Sequence, residues 1–395
     1  MARFRHPPSP PRPAAPFGCP HWPGCVGCPW VGRPYEDQLA SKHHRVVAAL
    51  AAALPDAVVA AVDPVVPTSE PSGYRVQAKL VVGSVPAGVV LGLYAPGTHR
   101  IVDASGCPLH DPLLRRAIPA LRAALERERV PIHGQGRTGL RYALLRASVA
   151  EERLLVTLVS SRAPLSQATR VARRLRRTVP LAGLLVNENR TSGNVILGAR
   201  TEAVFGERAL RERYGEVVIA AGPTAFVQAN TRMAARIYGA IAEAAAVAAD
   251  TRVVDLYCGV GGIALTLART AGTVVGVEEV AAAVAAARAN AARAGATHVR
   301  FVAGRVEEAL GGLTEPVDVV TMNPPRKGAG AAVARAVAAL APRRILYLSC
   351  HPESFARDAA VLADGGFTLA RVRPFDLLPQ TEHVEVLGIF VRDSA

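Results

Sequence analysis

The chain has 395 residues, of which 50% are hydrophobic and 20% charged, so its length and composition predict two or three globular domains. Lys and Arg number 46 against 32 Asp and Glu, which gives a formal net charge of +14. The sequence lacks an uncharged apolar run of about 20 residues, the length of a membrane span, and no apolar secretory segment follows Arg3 and Arg5. We therefore expect a cytoplasmic protein with no membrane association, whose six cysteines are reduced and serve as metal ligands or catalytic thiols.

The positive charge is concentrated in the first part of the chain. Residues 1–230 contain 29 basic and 16 acidic side chains, an excess of 13, whereas residues 231–395 contain 17 and 16. Such one-sided charge favours a polyanionic partner, most simply nucleic acid, over a merely solvated arginine-rich surface.

The part of the chain before residue 230 predicts three regions. Six of the first 16 residues are proline, so residues 1–16 are expected to form a disordered tail. We place a cysteine-bearing region with a small amount of β-structure at 17–110 and a basic α+β domain at 111–229. The expected elements are helices at about 36–53, 113–129 and 167–178, strands at 74–82 and 89–94, and a hairpin within 139–160.

From residue 230 onward the pattern changes, and residues 230–395 are predicted to form one domain. An alanine-rich helix at about 231–248 is followed by short apolar, β-branched runs that alternate with helical segments. This alternation predicts an α/β domain with a parallel sheet covered by helices on both faces.

Three strand ends in this domain predict a site for a nucleoside-bearing cofactor. The run from Asp255 to Gly262 follows a strand and begins a helix, and its glycines allow a ligand to approach the backbone. Glu278 ends the next strand, where a carboxylate can accept hydrogen bonds from ribose hydroxyls. A later strand ends in Asn323-Pro-Pro-Arg-Lys-Gly328, and its two prolines stiffen the loop.

A candidate nucleophile follows another strand of the same predicted sheet. Cys350 lies between that strand and a helix that begins near Glu353, a setting that favours the thiolate. The last strand is preceded by Thr381-Glu382-His-Val-Glu385, which offers Glu382 as an acid or base and Glu385 as a second candidate.

The remaining cysteines form a separate group. Cys19, Cys25 and Cys28 have the spacing C-x₅-C-x₂-C, and Cys107 follows 79 residues later. Four soft ligands of this kind suit zinc or an iron–sulfur cluster, and the spacing alone does not choose between them.

Taken together, these motifs resemble the RNA 5-methyluridine (uracil-5-)-methyltransferase family over about residues 17–395. The resemblance rests on five ordered motifs, which are Phe226-Val-Gln-Ala-Asn230, Asp255-Leu-Tyr-Cys-Gly, Asn323-Pro-Pro-Arg, Ser349-Cys-His-Pro and Thr381-Glu-His-Val-Glu. It implies a C-terminal class I methyltransferase domain, Rossmann-like and seven-stranded, beside an N-terminal cluster-binding region and a central α+β domain that binds RNA. It also implies S-adenosylmethionine as cofactor.

The resemblance assigns roles to individual residues. Gln228, Tyr257, Glu278 and Asn323 correspond to cofactor-contact positions, Cys350 to the nucleophile and Glu382 to the base. A branch of the family holds a 4Fe–4S cluster on cysteines arranged like Cys19, Cys25, Cys28 and Cys107, which favours the cluster over zinc.

Two departures from other relatives point to a compact branch that modifies 23S ribosomal RNA. An N-terminal RNA-binding barrel is expected to be absent, and Asn323 stands where many relatives have Asp. No protein partner is implied. Three alternatives stay open: a transfer RNA enzyme of the same mechanism, an amino-methyltransferase that uses the Asn323-Pro-Pro loop, and a non-catalytic RNA-binding protein that carries the cluster.

Overall fold

The computed structural model describes residues 18–392 apart from 55–61, 135–137, 192–194 and 314. The expected tail at residues 1–16 therefore lies outside the described residues. Within the described ranges, no helix is both long and apolar enough to cross a bilayer.

The first half of the described chain builds a sheet with helices on one face. Its elements are α1 (Tyr35–Ala51), β1 (Gln77–Val85), β2 (Gly88–Tyr94), β3 (Ile101–Asp103), α2 (Pro112–Arg127), β4 (Leu140–Ser148), β5 (Arg153–Ser160), α3 (Ala168–Leu175), β6 (Leu181–Glu188) and β7 (Arg200–Gly206). The strand order is β3-β2-β1-β4-β5-β6-β7, and α3 connects β5 to β6, the one parallel pair. Buried leucines and alanines of α2 and α3 pack on this first sheet. The domain boundary expected at 110/111 therefore cuts through one continuous sheet.

The second half builds a larger α/β unit. Its elements are β8 (Leu210–Tyr214), β9 (Val217–Ala221), α4 (Thr231–Ala245), β10 (Arg252–Leu256), α5 (Gly262–Leu267), β11 (Thr273–Glu278), α6 (Ala281–Arg293), β12 (Val299–Ala303), α7 (Val306–Gly311), β13 (Val319–Met322), α8 (Ala331–Ala339), β14 (Arg344–Ser349), α9 (Pro352–Asp364), β15 (Phe367–Phe375) and β16 (Glu385–Arg392).

This second sheet has the order β12-β11-β10-β13-β14-β16-β15. The first five strands in that order are parallel to one another, whereas β16 runs antiparallel to both of its neighbours. The expected parallel sheet is thus mixed, because the chain leaves β15 through a short loop and returns as β16 between β14 and β15.

Helices cover both faces of the second sheet, as the alternation of apolar runs predicts. Successive strand residues point to opposite faces, so Val253 packs with α4, α5 and α6 whereas Val254 packs with α7, α8 and α9. Two elements from outside residues 230–395 complete these layers. Helix α1 buries Val46 and Leu50 beside α8 and α9, and the β8–β9 hairpin buries Tyr214, Val217 and Ile219 in the opposite layer.

The aromatic packing of α9 on the second sheet generates a stability prediction. Phe355 is fully buried, with ring centroids 5.3 Å from Tyr347 and 6.2 Å from Phe390. Phe355→Ala should lower the free energy of unfolding by about 3–5 kcal/mol, because it leaves a cavity in a packed core. Phe226→Ala is the matched control, since Phe226 is 75% exposed and its loss should cost less than about 0.5 kcal/mol. Equal losses in denaturant titrations of the two variants would contradict this packing.

Candidate active site

Three predicted site residues follow strands that end together at one edge of the second sheet. Leu256 of β10, Met322 of β13 and Tyr347 of β14 lie in register. Tyr257 and Asn323 follow β10 and β13 directly, and Cys350 follows the end of β14. Open parallel sheets bind their ligands at this edge, so these positions are close to where the sequence motifs require them.

A buried carboxylate, Asp255, organises the edge from within. It is fully buried, accepts a hydrogen bond from the Ala264 backbone N–H at 2.9 Å and another from Thr321 Oγ1 at 2.7 Å. Burial raises its pKa to about 7. Asp255 therefore ties the start of α5 to β13 and gives the intervening loop a defined shape.

The loop after Asp255 leaves room for a ligand. Tyr257, Gly259 and Gly261 have φ values of 59°, 55° and 89°, and no atom lies within 4 Å of the position that a Cβ on Gly259 would take. The Glu278 carboxylate accepts hydrogen bonds from the backbone N–H groups of Gly259 at 3.0 Å and Val280 at 2.8 Å. Each of its oxygens keeps a second lone pair, so these residues fit a ligand that carries hydroxyl groups.

The loop that begins at Asn323 is anchored from α9. Ser354 Oγ donates to the Arg326 carbonyl at 2.8 Å, and Asp358 accepts from the Ala329 backbone N–H at 2.8 Å. These bonds direct the loop toward Cys350, where Arg326 lines the same cavity as the thiol.

The Cys350 thiol is half-buried, and its pKa is raised rather than lowered. Burial is the main cause and the charge of Glu385 adds to it, whereas a backbone N–H and the charge of Arg326 act in the opposite direction. The expectation that this setting favours the thiolate is therefore wrong, because desolvation outweighs the helix terminus.

The two candidate bases differ in burial. Glu382 is exposed, and its backbone carbonyl accepts a hydrogen bond from Arg45 at 3.3 Å. Glu385, the first residue of β16, is 8% exposed, and burial raises its pKa to about 7. The charge of Glu385, the second candidate, raises the pKa of Cys350, whereas Glu382 is not among the groups that shift it.

One cavity of about 980 Å³ brings predicted residues of both halves of the chain together. It is lined by Gln228, Cys350 and Glu382, by Glu385, and by three of the four cysteines in the N-terminal group, Cys25, Cys28 and Cys107. Its lining does not include Tyr257, Glu278 or Asn323. Of the four expected cofactor contacts, Gln228 therefore lies in the cavity and the other three lie at the adjacent strand ends.

The four N-terminal cysteines are neighbours. The charge of each of Cys19, Cys25 and Cys107 acts on the pKa of Cys28, which burial raises to about 12. Backbone N–H groups reach two of the sulfurs: Gly27 donates to Cys25 Sγ at 3.3 Å, and Leu109 and His110 lower the pKa of Cys107. Among the residues that the structure describes, however, no set of three or more His, Cys, Asp or Glu side chains is close enough to hold a metal ion. Four thiols are the number and kind of ligands that a thiolate-bound metal requires. In this structure, however, the thiols lie farther apart than the ligands of a bound metal do.

Sequence reasoning missed several residues of this cavity. Arg75 is directed toward the cysteines, donates to the Gly27 carbonyl at 3.2 Å and acts on Cys28 and Cys107. His110 is 6% exposed, and burial lowers its pKa to about 4. The only local indication in the sequence that His110 belongs to this site is its position three residues after Cys107.

Arg146 is a third missed residue, and no sequence motif contains it. Its guanidinium donates to the carbonyls of Ala221 at 3.1 Å, Gly222 at 2.9 Å and Ala225 at 3.0 Å. Its register partner on β1, Gln77, donates to the Val227 carbonyl at 2.7 Å. Together they hold the segment that ends in Gln228 over the cavity.

A solved structure shares this architecture. The tRNA (uracil-54, C5)-methyltransferase of Pyrococcus abyssi, in complex with S-adenosyl-L-homocysteine, matches over 93% of this chain and 86% of that chain, with a TM-score of 0.77 and 25% sequence identity. The fold is therefore that of the α/β methyltransferases.

The chain belongs to the tRNA (uracil-5-)-methyltransferase family, whose model matches residues 34–393. An uncharacterized RNA methyltransferase of Geobacter sulfurreducens is 36% identical over 93% of this chain and 75% of its own length. Another, of Thermosynechococcus vestitus, is 35% identical over 92% and 82%. The predicted enzyme class, an RNA (uracil-5-)-methyltransferase that uses S-adenosylmethionine, is thereby confirmed.

The raised pKa of Glu385 predicts how stability depends on pH. Between pH 4.5 and pH 7 the unfolded chain ionises this carboxyl while the folded chain keeps it protonated, so stability is lost as the pH rises through this window. Over the window the wild type should lose about 3 kcal/mol more than Glu385→Gln, as measured by denaturant titration at each pH. The matched control is Glu382→Gln, which removes an exposed carboxylate of the same loop. Parallel pH curves for the wild type and Glu385→Gln would show that this carboxyl is not desolvated.

Proposed function

We propose that this protein methylates carbon 5 of a uridine in RNA through a transient bond between Cys350 and the uracil ring. The observation that carries the proposal is the pairing of Cys350 with a buried carboxyl, Glu385, in one cavity beside the strand ends of the cofactor loop. A nucleophilic thiol and a general base are the two groups that this reaction needs.

The thiol is needed because carbon 5 of uracil is a poor nucleophile. Addition of the Cys350 sulfur to carbon 6 turns the ring into an enolate, and the electron pair of that enolate then forms the bond between carbon 5 and the methyl group. S-adenosylmethionine would supply this methyl group from its sulfonium, whose sulfur keeps the electron pair of the broken bond so that S-adenosylhomocysteine is the leaving group. Arg326 lowers the pKa of Cys350 and so increases the fraction of thiolate in a site where burial reduces it.

The base is needed to release the product. Removal of the proton from carbon 5 returns its electron pair to the ring, restores the bond between carbons 5 and 6, and expels the Cys350 thiolate. We assign this role to Glu385 rather than to Glu382. A carboxyl with a pKa of about 7 is a stronger base than an ordinary one and is still partly ionised at neutral pH, whereas Glu382 is exposed to solvent.

The substrate is proposed to be 23S ribosomal RNA, in the cytoplasm, with transfer RNA as the second candidate. The ribosomal target is supported by the sequence motifs, and the transfer RNA target by the similarity to the Pyrococcus abyssi enzyme, which is a tRNA methyltransferase. Exposed arginines at and just after α3, such as Arg173 and Arg177, offer contacts to phosphates. Mapping of 5-methyluridine in both RNA pools, from cells with and without the gene, decides between the two.

RNA that contains 5-fluorouridine tests the mechanism, because fluorine cannot leave as a proton and the covalent adduct is trapped. The wild type should form a protein–RNA adduct on denaturing gels, and Cys350→Ala should form none while binding S-adenosylhomocysteine as the wild type does. With ordinary uridine RNA, Glu385→Gln should accumulate the adduct and turn over at least about a hundredfold more slowly.

Glu382→Gln is the matched control and should turn over within a few-fold of the wild type. A slow Glu382→Gln beside a fast Glu385→Gln would return the base role to Glu382. Methyl transfer to an exocyclic nitrogen without any adduct would support an amino-methyltransferase, and RNA binding without methyl transfer would support a non-catalytic protein.

We propose that Cys19, Cys25, Cys28 and Cys107 hold a 4Fe–4S cluster. The proposal is supported by the effect that Cys19, Cys25 and Cys107 each have on the pKa of Cys28, and by the backbone N–H groups that reach Cys25 and Cys107. Such N–H bonds and the charge of Arg75 stabilise thiolate ligands. The cluster would have a structural role, since methyl transfer requires no redox step.

Metal analysis after anaerobic purification tests this assignment. The wild type should contain iron and acid-labile sulfide in equal amounts, with broad visible absorption. Cys28→Ser should lose both, because it removes a ligand. Cys258→Ser is the matched control, since Cys258 is buried in the core of the second sheet and its loss should leave the iron content unchanged. Stoichiometric zinc without iron would contradict the cluster.

A further inference from the structure

Part of the active-site cavity is formed by the loop between β15 and β16, residues 376–384, which we call the wall segment. It contributes Leu377, Leu378, Thr381 and two further residues to the cavity lining, together with Gln228 and Arg326. The wall segment lies outside the sheet, because strand pairing ends at Phe375 and resumes at Glu385. Its position must therefore be determined by contacts with other parts of the chain.

The wall segment has a backbone conformation that needs external support. Gln380 has a φ of 67° and is 1% exposed. A residue with a side chain is strained in this left-handed region and stays there only when its surroundings hold it.

Helix α1 supplies the support for Gln380. The Gln38 side chain donates to Gln380 Oε1 at 3.0 Å and accepts from the Gln380 backbone N–H at 2.9 Å. Gln38 is fully buried, so these two bonds are shielded from competition with water.

One turn further along α1, Lys42 holds the start of the wall segment. Its Nζ donates to Asp376 Oδ1 at 2.5 Å and to the Leu378 carbonyl at 3.2 Å. The other oxygen of Asp376 accepts from Tyr35 Oη at 2.7 Å. Both charged side chains are fully buried, and a buried pair of this kind fixes geometry because neither partner can separate without a large penalty.

The next polar residue on the same helix face, Arg45, connects the wall segment to the nucleophile. Its guanidinium donates to both carboxylate oxygens of Glu353, at 2.8 and 2.9 Å, and to the Glu382 backbone carbonyl at 3.3 Å. Glu353 lies in the first turn of α9, three residues after Cys350. The spacing 38, 42 and 45 places the three residues on one side of α1.

We propose that Gln38, Lys42 and Arg45 are positioning residues through which α1 holds the wall segment at a defined distance from Cys350 and so shapes the cavity that receives the uracil. The inference rests on the proposed function in naming uracil as the occupant. None of the three residues bonds to Tyr257, Glu278 or Asn323, so the binding of the methyl donor should be independent of them.

Two variants test the proposal. Arg45→Gln removes the connection to Glu353 and Glu382 from a side chain that is 26% exposed, and Gln38→Leu removes the amide pair at nearly constant volume. The matched control is Arg122→Gln, which breaks an ion pair of 3.1 Å with Asp103 on the first sheet from a side chain that is 31% exposed. The Gln38→Leu/Gln380→Leu double variant should be no slower than Gln38→Leu, because the two residues share one interaction.

Three measurements are made on each variant. They are the rate of iodoacetamide modification of the Cys350 and Cys258 peptides, the rate of adduct formation with fluorouridine RNA, and the affinities for RNA and S-adenosylhomocysteine. A loosened wall admits water to Cys350, so its modification should become about fivefold faster while Cys258 stays protected. A cavity that no longer fits the base should form the adduct about tenfold more slowly, with both affinities within about twofold of the wild type.

The outcomes separate the possible failures. Modification and adduct rates like those of the wild type in folded Arg45→Gln would overturn the proposal, as would equal changes in Arg122→Gln. Parallel exposure of Cys350 and Cys258 would show general unfolding and also count against it. If Gln38→Leu does not fold, Arg45→Gln decides. If the wild type forms no adduct, the proposed function fails, and the modification rates still decide whether α1 holds the wall.

Discussion

The register of the parallel strands in the second sheet is the constraint on which the rest of the site depends. Because β10, β13 and β14 end within two residues of one register position, the residues that follow them lie at the same edge of the sheet, although nearly a hundred positions of sequence separate Tyr257 from Cys350. Asp255 secures this arrangement from inside the sheet. Its two hydrogen bonds to β13 and α5 are made where no water competes, and the cost of its burial appears as the raised pKa.

The cavity is shared by parts of the chain that a linear division keeps apart. Gln77 and Arg146, register partners in the first sheet, hold the segment that carries Gln228. The cysteine-bearing region contributes Cys25, Cys28 and Cys107 to the same lining. This arrangement gives the N-terminal half a structural reason to be present in a methyltransferase, since the walls of the cavity come from both halves.

Burial and charge act in opposite directions on the pKa of Cys350, the proposed nucleophile. Desolvation raises the pKa of both Cys350 and Glu385, which disfavours their charged forms, while Arg326 acts against this at the thiol. A raised pKa makes Glu385 a stronger base, but at Cys350 it reduces the fraction of thiolate. A nucleophilic thiolate at this position therefore needs a cation close to it. Arg326, which lines the cavity beside the thiol, is such a cation.

The sequence by itself determined the features that depend on local pattern. Apolar periodicity located helices α1 to α4 and strands β1, β2, β4 and β5 within a few residues, and the motifs at strand ends predicted the cofactor loop and Cys350. Only the tertiary structure showed that Glu382 and Glu385, which share one short motif, differ in burial, a property set by residues distant in the chain. It also joined residues on both sides of position 110 into one sheet and attached α1 to the methyltransferase domain. Strand pairing and helix packing join residues that are hundreds of positions apart. A local sequence pattern can show that one face of a helix or strand is apolar, but it does not show which distant part of the chain packs on that face.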